Sequence, residues 1–215
     1  MASDAHRANI LGRFNQVGVG VVVDGEGTMW ATMVFVQGPR PGTATSALTD
    51  IDGNAHRGAI TTAYEGGLIN PCQPVTRRFC PGRDASRATV AATVARMLAL
   101  EPSSVSHFTD LAAPSHADAL AEAGVVRGCA PGRFCPRRAV TRAELASLLV
   151  RGLPGLQPVQ GRWFDDLATT DVHTTAVNGL AAAGVTKGCA PNRFCPEGKV
   201  TRAQLASFVV RAVDP

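Results

Sequence analysis

Membrane spans, nucleic-acid surfaces and export signals leave recognisable sequence patterns, and this 215-residue chain has little of any of them. No apolar run reaches the roughly 18 residues of a transmembrane helix, so we expect no membrane insertion. The chain has one Tyr and two Trp, and no basic run exceeds two residues. These features argue against nucleic-acid binding. Residues 1–20 lack the basic, apolar and small-residue regions of a signal peptide.

The sequence also lacks the residue groupings of a catalytic or metal site. No Ser/His/Asp set or pair of carboxylates suggests an enzyme, and we expect no cofactor. The six cysteines form three close pairs without a His between them, whereas zinc requires four ligands at short spacing. Local disulfides are favoured because closing a short loop costs little entropy and because exported, loop-rich proteins carry them. The predicted bridges are Cys72–Cys80, Cys129–Cys135 and Cys189–Cys195.

What the chain does contain is a tandem repeat. The last two copies register at a spacing of 60 residues, as Cys129 and Cys189 show. Each copy opens with an Asp that has an apolar residue two positions before it and another directly after it, at 48–51, 108–111 and 164–167. The predicted domains are three repeats over 48–100, 101–157 and 158–215, a linker over 38–47 and an N-terminal segment over 1–37.

Each repeat has the pattern of a helix, a loop and a second helix. The first helix is short and rich in Ala, and in the last repeat it ends at Gly184 as a glycine C-cap. The second helix opens with a capping box in two repeats, at residues 141–144 and 201–204, whereas Ser86 caps without a complete box. Apolar residues of the second helices recur at spacings of three and four. They are Val90, Val94, Met97, Leu98, Leu145, Leu148, Leu149, Leu153, Leu205, Phe208, Val209 and Val213.

These patterns predict a mainly α fold. One helix pair cannot bury its apolar stripe alone, but three pairs facing one another can. We therefore expect three helix-loop-helix repeats in a pseudo-threefold arrangement around a three-helix bundle, in a monomer. Residues 16–24 and 28–37 flank Gly25-Glu26-Gly27 and add an N-terminal β-hairpin.

The ordered motifs of the repeats resemble the S-layer homology domain. The series runs from Phe-x-Asp-Leu through an Ala-rich helix, Ala-Gly-Val and Phe-x-Pro to Thr-Arg-Ala-Glu and an apolar helix that ends near Arg151 or Arg211. The resemblance covers all three repeats. It implies domains that attach an exported bacterial protein to secondary cell-wall polysaccharide. The loop cysteines, with 19 Arg against 2 Lys, resemble a variant from high-GC, actinobacteria-like genomes.

The Arg after each capping residue is the strongest candidate for binding a ligand. Arg87, Arg142 and Arg202 occupy the first helical position, where the helix dipole opposes a cation and capping does not require one. A solvated surface charge is the alternative interpretation. The resemblance implies that this Arg, together with Asp110 and Asp166, holds an acidic sugar in a groove between repeats. The two Asp could equally cap the first helices.

Two expectations about substitutions follow from this interpretation. Replacing Arg142 or Arg202 should weaken binding to an anionic cell-wall polysaccharide and leave the fold intact. Arg87 should matter least, because its Ser-Arg-Ala-Thr motif departs furthest from the family pattern.

Residues 1–37 differ from the repeats. His6-Arg7-Ala8-Asn9-Ile10-Leu11, Val-Gly-Val-Gly-Val and Trp-Ala-Thr-Met-Val-Phe resemble the C-terminal end of a bacterial CAP domain, of the cysteine-rich secretory, allergen and pathogenesis-related superfamily. The resemblance matches His6 to one of two His that share the family's cavity with two acidic residues. The other three would lie upstream of Met1, so we expect the chain to begin inside a longer exported protein.

The sequence thus predicts a non-catalytic, extracellular module that is associated with the cell wall or S layer. The alternative is a fragment of a secreted CAP-domain protein. In that case the activity would lie upstream, and the repeats would serve only as a structural or protein-interaction scaffold.

Overall fold

The computed structural model describes residues 16–23, 29–36 and 47–213. The expected mainly α class is confirmed, since this part of the chain contains six helices. They are α1 (Arg57–Glu65), α2 (Arg87–Met97), α3 (His116–Glu122), α4 (Arg142–Gly152), α5 (Thr174–Ala182) and α6 (Arg202–Val213). Each repeat supplies one shorter helix (α1, α3 or α5) and one longer helix (α2, α4 or α6).

Two strands precede the helices. β1 (Gln16–Val23) and β2 (Met29–Val36) pair in antiparallel orientation, with Gln16 opposite Val36 and Val23 opposite Met29. Both strands fall inside the ranges expected from the sequence. His6, the Gly-Glu-Gly turn and residues 38–46 of the linker lie outside the described residues.

The long helices begin as their capping residues predict. The Thr141 hydroxyl accepts a hydrogen bond from the Glu144 N–H at 3.1 Å, and the Glu144 carboxylate accepts one from the Thr141 N–H at 3.0 Å. Thr201 and Gln204 make the same reciprocal pair, and Ser86 caps α2 through the Thr89 N–H. These bonds satisfy backbone donors that the first helical turn leaves free.

The most extensive helix contacts join each short helix to the long helix of the preceding repeat. α3 packs on α2, α5 packs on α4, and α1 packs on α6. The sequence pattern predicts that the long helices meet in a central bundle; α2 and α4 do touch, but less extensively. The apolar stripes are buried largely by the short helices of the next repeat, where Ile60, Leu120 and Leu180 are fully buried.

Backbone hydrogen bonds close the three repeats into a cycle. The Val140 N–H donates to Ala85 O at 3.1 Å, the Ala85 N–H to Val200 O at 2.7 Å, and the Val200 N–H to Val140 O at 3.0 Å. All three residues are fully buried. The first and third repeats therefore contact each other as directly as neighbours in sequence do.

Most of the predicted apolar stripe is buried. Met97, Leu98 and Leu153 are partly buried against the core, and the prediction for Val213 is wrong, because this last residue of α6 is 56% exposed. Gly184 follows α5 with φ +72°, the left-handed conformation of a glycine C-cap. Among the described residues, no helix has the length and apolar character needed to cross a bilayer.

Candidate functional site

The opening Asp of each repeat holds the loop of the same repeat. The Asp166 carboxylate accepts hydrogen bonds from the Phe194 and Cys195 N–H groups, both at 2.8 Å. Asp110 binds the corresponding amides of Phe134 and Cys135 at 2.7 and 2.8 Å. The Asp therefore fixes the backbone where the second cysteine adopts a positive φ, a conformation that non-glycine residues seldom take.

The alternative that Asp110 and Asp166 cap the first helices is wrong. α3 is capped by the Ser115 side chain, and α5 follows His173 without a side-chain cap. Each Asp lies several residues before its helix and faces the loop. Asp50, which is not among the site residues predicted from the sequence, plays the same part in the first repeat, where it binds the amides of Phe79 and Cys80. It occupies the same position in the opening motif as Asp110 and Asp166, and this position indicates its role.

The three arginines of the capping motifs reach into the loop of the following repeat. Each Nε donates to the carbonyl of the loop Phe: Arg87 to Phe134 at 2.8 Å, Arg142 to Phe194 at 2.7 Å and Arg202 to Phe79 at 2.7 Å. Each guanidinium also lies over the ring of that Phe, 4.6 to 4.8 Å from its centre. Because the Asp binds the N–H of the same Phe, an Arg and an Asp from adjacent repeats meet on one residue.

The guanidinium groups are largely withdrawn from solvent. Arg142 is 7% exposed and Arg202 is 6% exposed, while Arg87 is half-buried. Burial lowers the pKa of Arg142, and the nearby Asp166 charge opposes that shift. Arg142 also stacks on Phe208 of α6. The interpretation of Arg142 and Arg202 as solvated surface charges is therefore wrong.

We call each contact between a capping-motif arginine and the loop of the following repeat a junction. At one of the three junctions an arginine N–H group lacks a hydrogen-bond partner. Nη2 of Arg87 donates to Arg127 O at 2.9 Å, and Nη2 of Arg202 donates to Asn70 O. Nη2 of Arg142 is buried without a partner in the described part of the chain.

Burial shifts the pKa of the Asp carboxylates in the opposite direction from that of the arginines. Burial alone would raise the pKa of Asp166, but the hydrogen bonds from the Phe194 and Cys195 amides outweigh it and lower the pKa below its usual value. For Asp110 the Phe134 amide is the largest influence and lowers the pKa. Both carboxylates are therefore held in the charged form.

The three predicted disulfides are confirmed, and they close the loops that carry these contacts. The bridges are Cys72–Cys80, Cys129–Cys135 and Cys189–Cys195. Within the described residues, no group of three or more His, Cys, Asp or Glu side chains is placed to hold a metal ion.

Two segments of the chain match the S-layer homology domain family, residues 107–146 and 164–206. Each segment runs from the opening motif through the loop into the long helix, so each contains the Asp, the Phe and the Arg described above. These segments are S-layer homology domains. The expected domain type is thereby confirmed for the second and third repeats, and with it the association with the S layer or cell surface. The match does not extend to residues 1–37, where the resemblance to a CAP domain stays a prediction.

Relatives of these S-layer homology domains include cell-surface proteins. The S-layer protein sap of Bacillus anthracis is 33% identical over 102 residues, which cover 43% of this chain and 11% of the relative. The S-layer protein of Bacillus thuringiensis subsp. finitimus is 30% identical over 147 residues, 62% of this chain and 17% of the relative. An uncharacterized cell wall amidase of Bacillus anthracis is 30% identical over 150 residues, 62% of this chain and 26% of the relative. The chain thus spans about a quarter or less of their length. The S-layer homology domains themselves are non-catalytic modules.

Open grooves lie at two of the junctions. The groove beside Arg87, which we call the Arg87 groove, has a volume of about 1060 Å³ and a lining that includes Arg127, Arg133, Arg138, Glu144 and Arg151. A second groove of about 410 Å³ lies beside Arg202 and is lined by Arg83, Asp84 and Arg96 among others. The geometry therefore combines a fixed guanidinium with further cations at an open surface.

Proposed function

We propose that this chain anchors an exported bacterial protein to the cell surface by binding an acidic secondary cell-wall polysaccharide in the grooves between repeats. The observation that carries the proposal is the arginine that each repeat extends into the loop of the next. A guanidinium already held in place loses little freedom when it binds an acidic sugar, and its planar donors suit a carboxylate.

The proposed sites pair Arg87 with Asp110, Arg142 with Asp166, and Arg202 with Asp50. In each pair the Arg supplies positive charge, together with those N–H groups that neither the loop Phe carbonyl nor a second backbone carbonyl uses. The Asp acts indirectly, because its oxygens already bind two loop amides. It keeps the loop, and therefore the Arg, in a fixed orientation at the contact between the two repeats.

The proposal extends the domain type to the first repeat. Residues 48–100 contain the same Asp–loop–Arg contacts as the two matched segments, which supports a third S-layer homology domain with bounds at 48–100, 101–157 and 158–215. The cyclic contacts support a monomer with a pseudo-threefold arrangement about the long helices. Residues 1–37 would then be the end of a CAP domain, joined by the linker over 38–47.

Sedimentation with purified bacterial cell walls tests the proposed function. The chain should sediment with intact walls and stay in solution with walls from which the acidic polysaccharide has been chemically removed. Binding to heparin and to DNA at raised salt is the control for general cation behaviour, which salt weakens strongly. Equal sedimentation with both wall preparations, or with neither, would contradict the proposal and favour a scaffold role for the repeats.

A further inference from the structure

The loop after Cys135 extends the Arg87 groove as a basic surface. A cavity of about 540 Å³ adjoins that groove and is lined by Asp110, Arg133, Cys135, Pro136, Arg137 and Arg138. Arg133, Cys135 and Arg138 line both cavities, so the same three residues border both spaces.

The cations on this face are only partly neutralised. Arg138 pairs with Glu144 at 2.5 Å, and Arg133 lies 3.8 Å from Asp110, whose oxygens also accept two amide bonds. Arg87, Arg127, Arg137 and Arg151 form no salt bridge with any carboxylate of the described residues. Burial and then the charge of Arg138 lower the pKa of Arg87. An anion in the groove would relieve this repulsion.

The other two repeats lack this arrangement at the matching positions. Backbone hydrogen bonds define the matching positions. The N–H groups of Arg87, Arg142 and Arg202 donate to the carbonyls of Arg138, Gly198 and Arg83, respectively. Gly198 and Arg83 are therefore the counterparts of Arg138. In the third repeat Arg137 is therefore replaced by Glu197, and in the first repeat by Gly82. The second repeat alone has two adjacent arginines at this point of the loop.

We infer that the second repeat carries a second anion subsite, formed by Arg133, Arg137 and Arg138, that extends the Arg87 groove. This inference rests on the proposed function and adds to it that the ligand bears at least two acidic groups on neighbouring sugars. One group lies near Arg87 and Arg127, and the next lies in the adjoining cavity. The junction at Arg87, which the sequence predicts to matter least, is then the main binding site.

Trigalacturonate and galacturonate are suitable probes, because they carry three carboxylates and one carboxylate. Their affinities for the full chain can be measured by titration calorimetry and NMR at low salt. In the double variant Arg137→Gln/Arg138→Gln, trigalacturonate should bind about tenfold or more weakly, since two charge-assisted contacts are lost. The slope of log affinity against log salt should fall by about one to two. Galacturonate binding should change less than about twofold, because its single carboxylate does not need both subsites.

The matched control is Arg57→Gln/Arg162→Gln. It removes the same charge from two exposed arginines that pair only with exposed Asp52 and Asp165 and that line neither cavity. An equal loss in the control, an equal loss for galacturonate, or a parent chain that binds both probes equally would overturn the inference. Each of these results leaves wall sedimentation as a separate test, so failure of the subsite and failure of the proposed function are distinguishable.

Discussion

At the scale of single residues, each capping-motif arginine has a structural task as well as a charge. Its Nε closes a hydrogen bond to the next repeat, and its planar face covers a buried Phe ring. The helix dipole disfavours a cation at this position, and the structure compensates with a carbonyl, an aromatic face and a nearby carboxylate. A substitution here changes the junction and the candidate site together.

Arg142→Ala should destabilise the fold, in contrast to the expectation from sequence alone. The change removes the bond to the Phe194 carbonyl and the stacking on Phe194 and Phe208, and it leaves a cavity. We expect a loss of about 2–4 kcal/mol in the free energy of unfolding, measured by urea denaturation. The exposed Arg162→Ala should change it by less than about 0.5 kcal/mol. Equal stability of the Arg142→Ala variant and the parent would mean that the junction does not depend on this side chain.

The loop carboxylates predict acid sensitivity. The pKa values of Asp50, Asp110 and Asp166 are lowered in the fold, so their contribution to stability is complete above the unfolded pKa and lost as the pH falls through the folded values. Unfolding free energy should therefore decrease below about pH 4. Denaturation curves at a series of pH values measure this. Asp166→Asn should weaken the pH dependence, whereas Asp52→Asn, at an exposed position, should leave it unchanged.

At the scale of elements, the segment over residues 157–161 lies directly on α5. Asn178 donates from Nδ2 to Val159 O at 3.2 Å and to Gly161 O at 2.9 Å. A Cβ added at Gly179 would lie within 2.1 Å of Gln157 O, so only glycine permits this approach. The link between the second and third repeats is thus packed against the helix that follows it.

Gly179→Ala should therefore destabilise the protein, although Ala is normally the better helix former. The new methyl group would push the segment away from α5, which we expect to cost about 1–3 kcal/mol. Gly58→Ala in α1 is the matched control, because a Cβ there meets nothing within 4 Å; it should stabilise by about 0.5–1 kcal/mol. Thermal melts of both variants measure the difference. The same direction of change in both would contradict the close packing at Gly179.

Local features of these elements could be predicted from the sequence, and contacts between repeats could not. The capping boxes and the disulfides involve residues within nine positions of each other, where spacing and chemistry suffice. The long helix that buries α1 is α6, the last helix of the chain, and no local sequence pattern indicates that these two distant helices meet. The role of Asp166 was missed for the same reason: its partners are backbone amides 28 and 29 residues away, and every residue type offers such an amide.

At the scale of the whole molecule, every repeat completes its core with parts of another. α1 of the first repeat packs on α6 of the third, and the Arg202 guanidinium binds the loop of the first. Cores shared in this way couple the stabilities of the three repeats, unlike an open array in which each repeat contacts only its neighbours.

Residues 47–213 should accordingly unfold in one transition. Far-ultraviolet circular dichroism, which follows the helices, and the fluorescence of Trp163 in the third repeat, recorded in a Trp30→Phe variant, should give coincident urea curves, as two-state unfolding requires. Both probes should also shift together in the Arg142→Ala variant. Separate midpoints for the two probes would show that the repeats unfold independently and that the contacts between the first and third repeats are weak.

The hydrogen-bond cycle through Ala85, Val140 and Val200 also bears on how such a protein can change its length during evolution. A row of repeats with free ends grows by duplication, since each new copy stacks on the last. A closed set of three has no free face to receive a fourth copy, and the loss of one would expose two apolar faces at once. Gene duplication should therefore add or remove these repeats in complete sets of three, which makes the triplet the inherited unit.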